Sequence, residues 1–82
     1  MATVTIYSKK ECHLCDVAKE ELEALRCDFG FSLKEVDIEK DKLAFEKYKY
    51  LIPVIEVDGE IVSTYRVNEK KLTDILKVKS QL

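Results

Sequence analysis

Two runs rich in β-branched residues, Val54-Ile55-Glu56-Val57 and Glu60-Ile61-Val62-Ser63-Thr64, are joined only by Asp58-Gly59. A two-residue hairpin loop needs φ > 0 at its central positions, which Asp-Gly accepts readily, so this spacing predicts an antiparallel hairpin. A hairpin alone is marginal in water, and the preceding segments must complete its sheet and cover its faces. Thr3-Val4-Thr5-Ile6-Tyr7 reads as a strand, and Ser8 to Glu11 as a polar break. Leu14, Val17, Ala18, Leu22 and Leu25 then fall at helical spacing, and Asp28-Phe29-Gly30 stops that helix. Phe31 to Asp37 is a second strand with Phe31, Leu33 and Val36 inward and a bend near Glu35. Asp41 to Tyr48 is a short helix capped by Asp41, with Leu43, Ala44 and Tyr48 on one side. Asn68 caps a last helix that buries Leu72, Ile75, Leu76 and Val78. The order β-α-β-α-β-β-α is that of an α/β fold. A right-handed crossover makes the first two strands parallel, and the hairpin adds antiparallel strands, giving a four-stranded mixed sheet flanked by three helices.

With 82 residues, residues 1–82 read as a single domain. The net charge of −2 excludes the basic stripe of a nucleic-acid binder and offers no polybasic membrane anchor. The longest apolar stretch, Tyr50 to Ile55, is broken by Pro53 and falls far short of the ~20 residues that span a bilayer. The first residues enter an alternating pattern with no signal-peptide core, so a cytoplasmic location is expected, and the chain is expected to act as a monomer.

Three cysteines stand at positions 12, 15 and 27. An odd, small number is not a disulfide scaffold, and C-x-x-C between a strand and a helix reads as redox-active or metal-binding. Three effects favour a reactive dithiol. Free amides at a helix N-terminus stabilise an anion, here the Cys12 thiolate. Lys9, Lys10 and His13 add positive potential, in the kind of setting that takes a thiol from ~8.5 into the ~3.5–7.5 range. The two-residue spacing also brings Cys15 round to bond Cys12. Cys12 is then the exposed nucleophile and Cys15 the more buried resolving thiol. Asp16 opposes this by placing a negative charge near the same turn. A structural zinc site needs four ligands. His13 is the only nearby fourth, and the helix between Cys15 and Cys27 spans ~18 Å, too far for one metal. No metal site is therefore assigned. An inert structural pair stays open beside the dithiol. Cys27 is expected to be a small buried hydrophobe, and Tyr7 to serve packing.

Pro53 directly precedes the strand-like run Val54–Val57 and cannot donate a ladder hydrogen bond, which suits a strand start. Were its peptide bond cis, the Ile52 backbone would be free to pair with an incoming chain.

Ile6-Tyr7-Ser8-Lys9, Cys12-x-x-Cys15, Ile52-Pro53-Val54 and the Asp58-Gly59-x-Ile61 hairpin together resemble a glutaredoxin or small thioredoxin-like protein, over essentially the whole chain. The resemblance implies the thioredoxin-like (glutaredoxin) fold, thiol–disulfide exchange through a redox disulfide of Cys12 and Cys15, and a cis Ile52-Pro53 bond. It also implies Lys9, His13, Ile52 and Pro53 as tuning or substrate-binding residues. The partners implied are disulfide-containing proteins and a reductant, either glutathione as co-substrate or a thioredoxin-reductase-type system, with no bound cofactor. Two departures stand out. His13-Leu14 replaces the usual Pro-Tyr. The Gly-Gly and acidic residue that hold glutathione after the last strand are replaced by Ser63-Thr64-Tyr65-Arg66-Val67-Asn68, and Lys9 and Arg66 are left as residues that could hold a carboxylate. Two other roles are carried alongside: a binding module without turnover, and a zinc or iron–sulfur carrier using the C-x-x-C of two subunits.

Overall fold

The computed structural model describes residues 2–80 and carries one four-stranded sheet. Its strands are β1 (Thr3–Ser8), β2 (Ser32–Asp37), β3 (Val54–Val57) and β4 (Glu60–Thr64), in the order β2-β1-β3-β4. β1 runs parallel to β2 in unbroken register from Thr3↔Ser32 to Ser8↔Asp37, and β3 is antiparallel to both β1 and β4. The helices are α1 (His13–Phe29), α2 (Lys42–Tyr48) and α3 (Glu69–Ser80), with a 3-10 turn at Ile38–Lys40. This is the mixed sheet with three helices that the sequence predicts.

Period-two alternation divides the core into two layers. Val4, Ile6, Ile55, Val57 and Val62 face α1 and α3, where they meet Ala18, Leu22, Leu72 and Leu76. On the other face, Ile38, Ala44, Tyr48 and Val54 form a smaller cluster with Tyr7, Leu51 and Ile52 packed on it. Each fully buried Leu or Ile contributes about 1.5–3 kcal/mol relative to its exposed state. The 3-10 turn matters because it delivers Ile38, wholly buried, to that second cluster.

Capping sets the helix boundaries. Gly30 ends α1 in the left-handed region (φ 69), its N–H donating to the Arg26 carbonyl at 2.8 Å. Asp41 and Asn68 cap α2 and α3, accepting from the N–H groups of Ala44 (3.2 Å) and Lys71 (3.1 Å).

Four packing expectations need correction. The inward stripe of α1 is Cys15, Ala18 and Leu22, with Leu25 and Phe29 half-buried, while Leu14 (53% exposed) and Val17 face outward. Both stripes have helical spacing, and a helix that starts at His13 turns the one containing Cys15 toward the sheet. Cys27 is exposed. It lies two residues, or about 200°, beyond Leu25 and so on the outer face. Leu43 is 78% exposed and Val78 is also exposed, because α2 and α3 each bury a narrower face than expected. β2 has no bend at Glu35: that side chain stays on the α1 side and pairs with Lys19 at 2.9 Å.

Candidate active site

The candidate site lies where β1 runs out. Ser8, buried, is followed by exposed Lys9, Lys10 and Glu11, and Glu11 adopts φ 55, which turns the chain into α1. Cys12 is the N-cap, in extended backbone (φ −118, ψ 104). Its carbonyl accepts the first helical bond, from the Asp16 N–H at 3.1 Å, and its Sγ accepts from the Cys15 N–H at 3.2 Å. A cysteine therefore does what Ser or Asp does at other helix starts, using sulfur as the acceptor. Cys12 and Cys15 are joined as a disulfide with their Cα atoms 5.2 Å apart. Cys12 is partly exposed, whereas Cys15 is completely buried, one turn in. His13 and Asp16 are exposed on that first turn.

Ile52-Pro53 is the second component. The bond is cis, Pro53 is fully buried, and Ile52 is half-buried. Val54 pairs with Tyr7 on one side and Thr64 on the other, so Ser8, Pro53 and Tyr65 follow one another along the same end of the sheet. The Tyr65 N–H donates to the Pro53 carbonyl at 2.9 Å and is shared with the Leu51 carbonyl at 3.2 Å. Tyr65 itself has φ 70. Thus Lys9, Cys12, His13, Cys15, Ile52 and Pro53 all belong to one end of the molecule. Arg66, also exposed there, lines a cavity of about 460 Å³ with Glu21, Ser63, Thr64, Val67 and Asn68.

A polar group that sequence reasoning missed lies on the α2 face. Glu56 is only 8% exposed and accepts a hydrogen bond from the Tyr48 hydroxyl at 3.2 Å. The Tyr7 ring packs 4.7 Å from that of Tyr48. Burial, reinforced by the nearby Glu56 carboxylate, pushes the Tyr7 phenol up to about 12, and the same two causes raise Tyr48. The available signal was one acid inside the run Val54-Ile55-Glu56-Val57. Cys27 lies near the far end of α1, and among the described residues no cluster of three or more His, Cys, Asp and Glu could hold a metal ion. No described helix is long and apolar enough to cross a membrane.

A parallel β1-α1-β2 unit, a cis-proline at the start of the hairpin and a dithiol pair at the first helix define a domain of the thioredoxin fold. Residues 3–77 match the model of the Glutaredoxin-like domain (DUF836), and the chain belongs to that family. It is 35% identical over 75 residues to the glutaredoxin-like protein YDR286C homolog of Dictyostelium discoideum, covering 84% of this chain and 69% of that protein. Among solved structures, protein Ne2328 of Nitrosomonas europaea superposes with a TM-score of 0.81 at 18% identity, over 90% of this chain and 89% of the other. Fasciola hepatica thioredoxin gives 0.64 at 25% identity, over 94% and 79%. Family, fold and the Cys12–Cys15 pair together support a redox role.

Proposed function

We propose that this chain is a thiol–disulfide oxidoreductase that reduces protein or mixed disulfides, with Cys12 as nucleophile and Cys15 as resolving thiol. The observation that carries the reading is the asymmetry of the pair. Cys12 sits partly exposed at a helix N-terminus with an N–H on its sulfur, and Cys15 is buried behind it. The N-terminal amides stabilise the Cys12 thiolate, and Lys9 and His13 add positive potential.

In the reduced protein, the Cys12 thiolate attacks one sulfur of a substrate disulfide. The substrate S–S bond breaks, a Cys12–substrate mixed disulfide forms, and the departing thiolate takes a proton from water. Cys15 then loses its proton and attacks Cys12 Sγ, expelling the second substrate thiolate and closing the Cys12–Cys15 disulfide. Two electrons have passed from the protein dithiol to the substrate, which leaves as two thiols. Ile52 and Pro53 lie beside the path of the incoming chain. An external dithiol, or two glutathione molecules leaving as their disulfide, returns the protein to its starting state. A reducing compartment such as the cytoplasm suits a protein whose working form is the dithiol, acting as a monomer with no bound cofactor.

Cys12→Ser and Cys15→Ser test the reading. Cys12→Ser abolishes exchange, and Cys15→Ser accumulates a mixed disulfide or retains only monothiol chemistry. Full activity in Cys12→Ser sinks the proposal. Incubating the oxidised protein with glutathione and its reductase, or with a thioredoxin-reductase system, and counting alkylated thiols by mass then identifies the reductant class.

A further inference from the structure

α2 lies on the face of the sheet opposite α1 and α3, and a cavity of about 310 Å³ opens between it and strands β1 and β3. Its walls carry Tyr7, Asp41, Lys47, Tyr48 and Glu56, and it reaches the hairpin at Gly59. No residue assigned to disulfide exchange lines it.

Glu56 is only 8% exposed, yet no ion pair among the described residues includes it or Asp41. A carboxylate withdrawn from water without a counter-charge is costly, and neutral hydroxyl donors offset that cost only in part. Tyr48 donates to Glu56 at 3.2 Å, and Tyr7 is the other hydroxyl on the cavity wall. Together they can fill two of the roughly four acceptor positions of a carboxylate. Asp41, exposed at the rim, accepts from the Ala44 N–H through Oδ1. Burial raises the Tyr7 phenol first, and the charges of Glu56 and Asp41 add to it, so both acids act on the same space. Two negative charges thus face one positive charge, that of Lys47, leaving a net −1 on the walls. Lys47 Nζ stands 6.0 Å from the Tyr48 ring centroid, at the outer limit of a cation–π contact, and pairs with neither acid.

We propose that this cavity binds a guanidinium group, with Glu56 accepting from its N–H donors, Asp41 adding charge at the mouth, and the Tyr7 and Tyr48 rings packing against its plane. One positive charge balances the walls. Aromatic walls suit an organic cation, and among the described residues no cluster of three or more His, Cys, Asp and Glu could hold a metal ion. A guanidinium is flat, weakly hydrated and able to meet a carboxylate through two donors, so it enters at lower cost than an ammonium. Its source is either a small free guanidine or an arginine side chain, and the experiment separates the two. The site is independent of the exchange reaction.

The oxidised full chain, labelled with nitrogen-15, is titrated at constant ionic strength with methylguanidinium, N-acetyl-arginine amide, propylammonium and methylurea. Methylurea is an uncharged molecule of nearly the same shape as methylguanidinium. Amide shifts of Asp41, Tyr48 and Glu56 report binding. Methylguanidinium is expected to saturate them with a dissociation constant of about 1 mM or below. Propylammonium should bind about tenfold more weakly, and methylurea should leave the shifts unchanged. Binding of N-acetyl-arginine amide as well supports the site as one for arginine side chains. Binding of methylguanidinium alone supports it as one for free guanidines. Glu56→Gln keeps an acceptor for Tyr48, Asp41→Asn keeps the helix cap, and each should weaken binding about tenfold. Where Glu56→Gln fails to fold, Asp41→Asn, altered only at the surface, decides. Shifts that do not saturate overturn the proposal, as do equal binding of propylammonium or methylurea and unchanged affinity in the folded variants.

Discussion

The backbone N–H of Cys15 points at Sγ of Cys12 over 3.2 Å, so the residue proposed to resolve the disulfide also supplies a donor to its partner. The proposed reaction needs that donor, with the other free amides of the helix start, to favour the thiolate of reduced Cys12. Cys27 provides an internal reference, being free and exposed. In the reduced protein at about pH 7, iodoacetamide is expected to modify Cys12 roughly tenfold faster than Cys27. Mass mapping of alkylated peptides over time measures the ratio, and equal rates would argue against an activated thiolate.

Glu56 and the two tyrosines beside it predict an alkaline limit to stability. Tyr7 is raised from 10.0 to about 12 in the folded chain, first by burial and then by Glu56. A raised acid holds its proton longer when folded, so the stability it contributes is fully present below pH 10 and is lost as pH rises from there toward 12. Denaturation midpoints should be flat from neutral pH to about 10 and fall above it. In Glu56→Gln the late tyrosinate absorbance should move toward 10 without reaching it, because the larger cause, burial, remains.

Asp58 predicts the acid limit. Its Oδ1 accepts from the Thr3 N–H at 2.9 Å and its Oδ2 pairs with Lys79 at 2.9 Å, which hold its carboxyl below the usual range, the Thr3 bond most strongly. The sign is opposite to that of Tyr7: the contribution is present above the unfolded-state value and is lost as pH falls through the folded one. Asp58→Asn keeps a residue that tolerates φ 50 and removes the charge. Its urea midpoint should lie below that of wild type at pH 7, with the gap closing as pH falls below the usual carboxylate range.

Ile38→Ala and Leu43→Ala separate a buried anchor from an exposed residue of the same size. Ile38 is wholly buried in the α2-side cluster, and its truncation is expected to cost about 2–4 kcal/mol. Leu43, largely exposed, should change stability by no more than about 0.5 kcal/mol. Urea unfolding of both variants checks the pair. A large loss in Leu43→Ala would mean that α2 buries the face predicted from its sequence.

Local chemistry was legible wherever it is written in neighbouring residues. Asp58-Gly59, Asp41, Asn68 and Gly30 each announce their turn or cap, and C-x-x-C after a β-rich run announces the site. Rotation about a helix axis was not legible, because Leu14-Val17 and Cys15-Ala18 both keep helical spacing and only docking on the sheet chooses between them. Ile38 was missed because a three-residue turn carries no periodicity. The Glu56–Tyr48 bond joins α2 to β3, and a single acid in an apolar run does not say which hydroxyl will meet it. The backbone of Tyr65 was equally silent, since nothing in Ser63-Thr64-Tyr65-Arg66 demands a positive φ.

Asp58 gathers the start of β1 and the last turn of α3 at one pole of the sheet, while β1 carries the chain away from Thr3 toward Cys12 at the other. A tether attached beyond either of those elements therefore leaves from the side remote from the dithiol. The domain can be fixed to a bead, an electrode or a carrier protein through both routes with Cys12 still facing solution. An assay on such a surface would report the chemistry of Cys12 and Cys15 rather than the obstruction of the attachment.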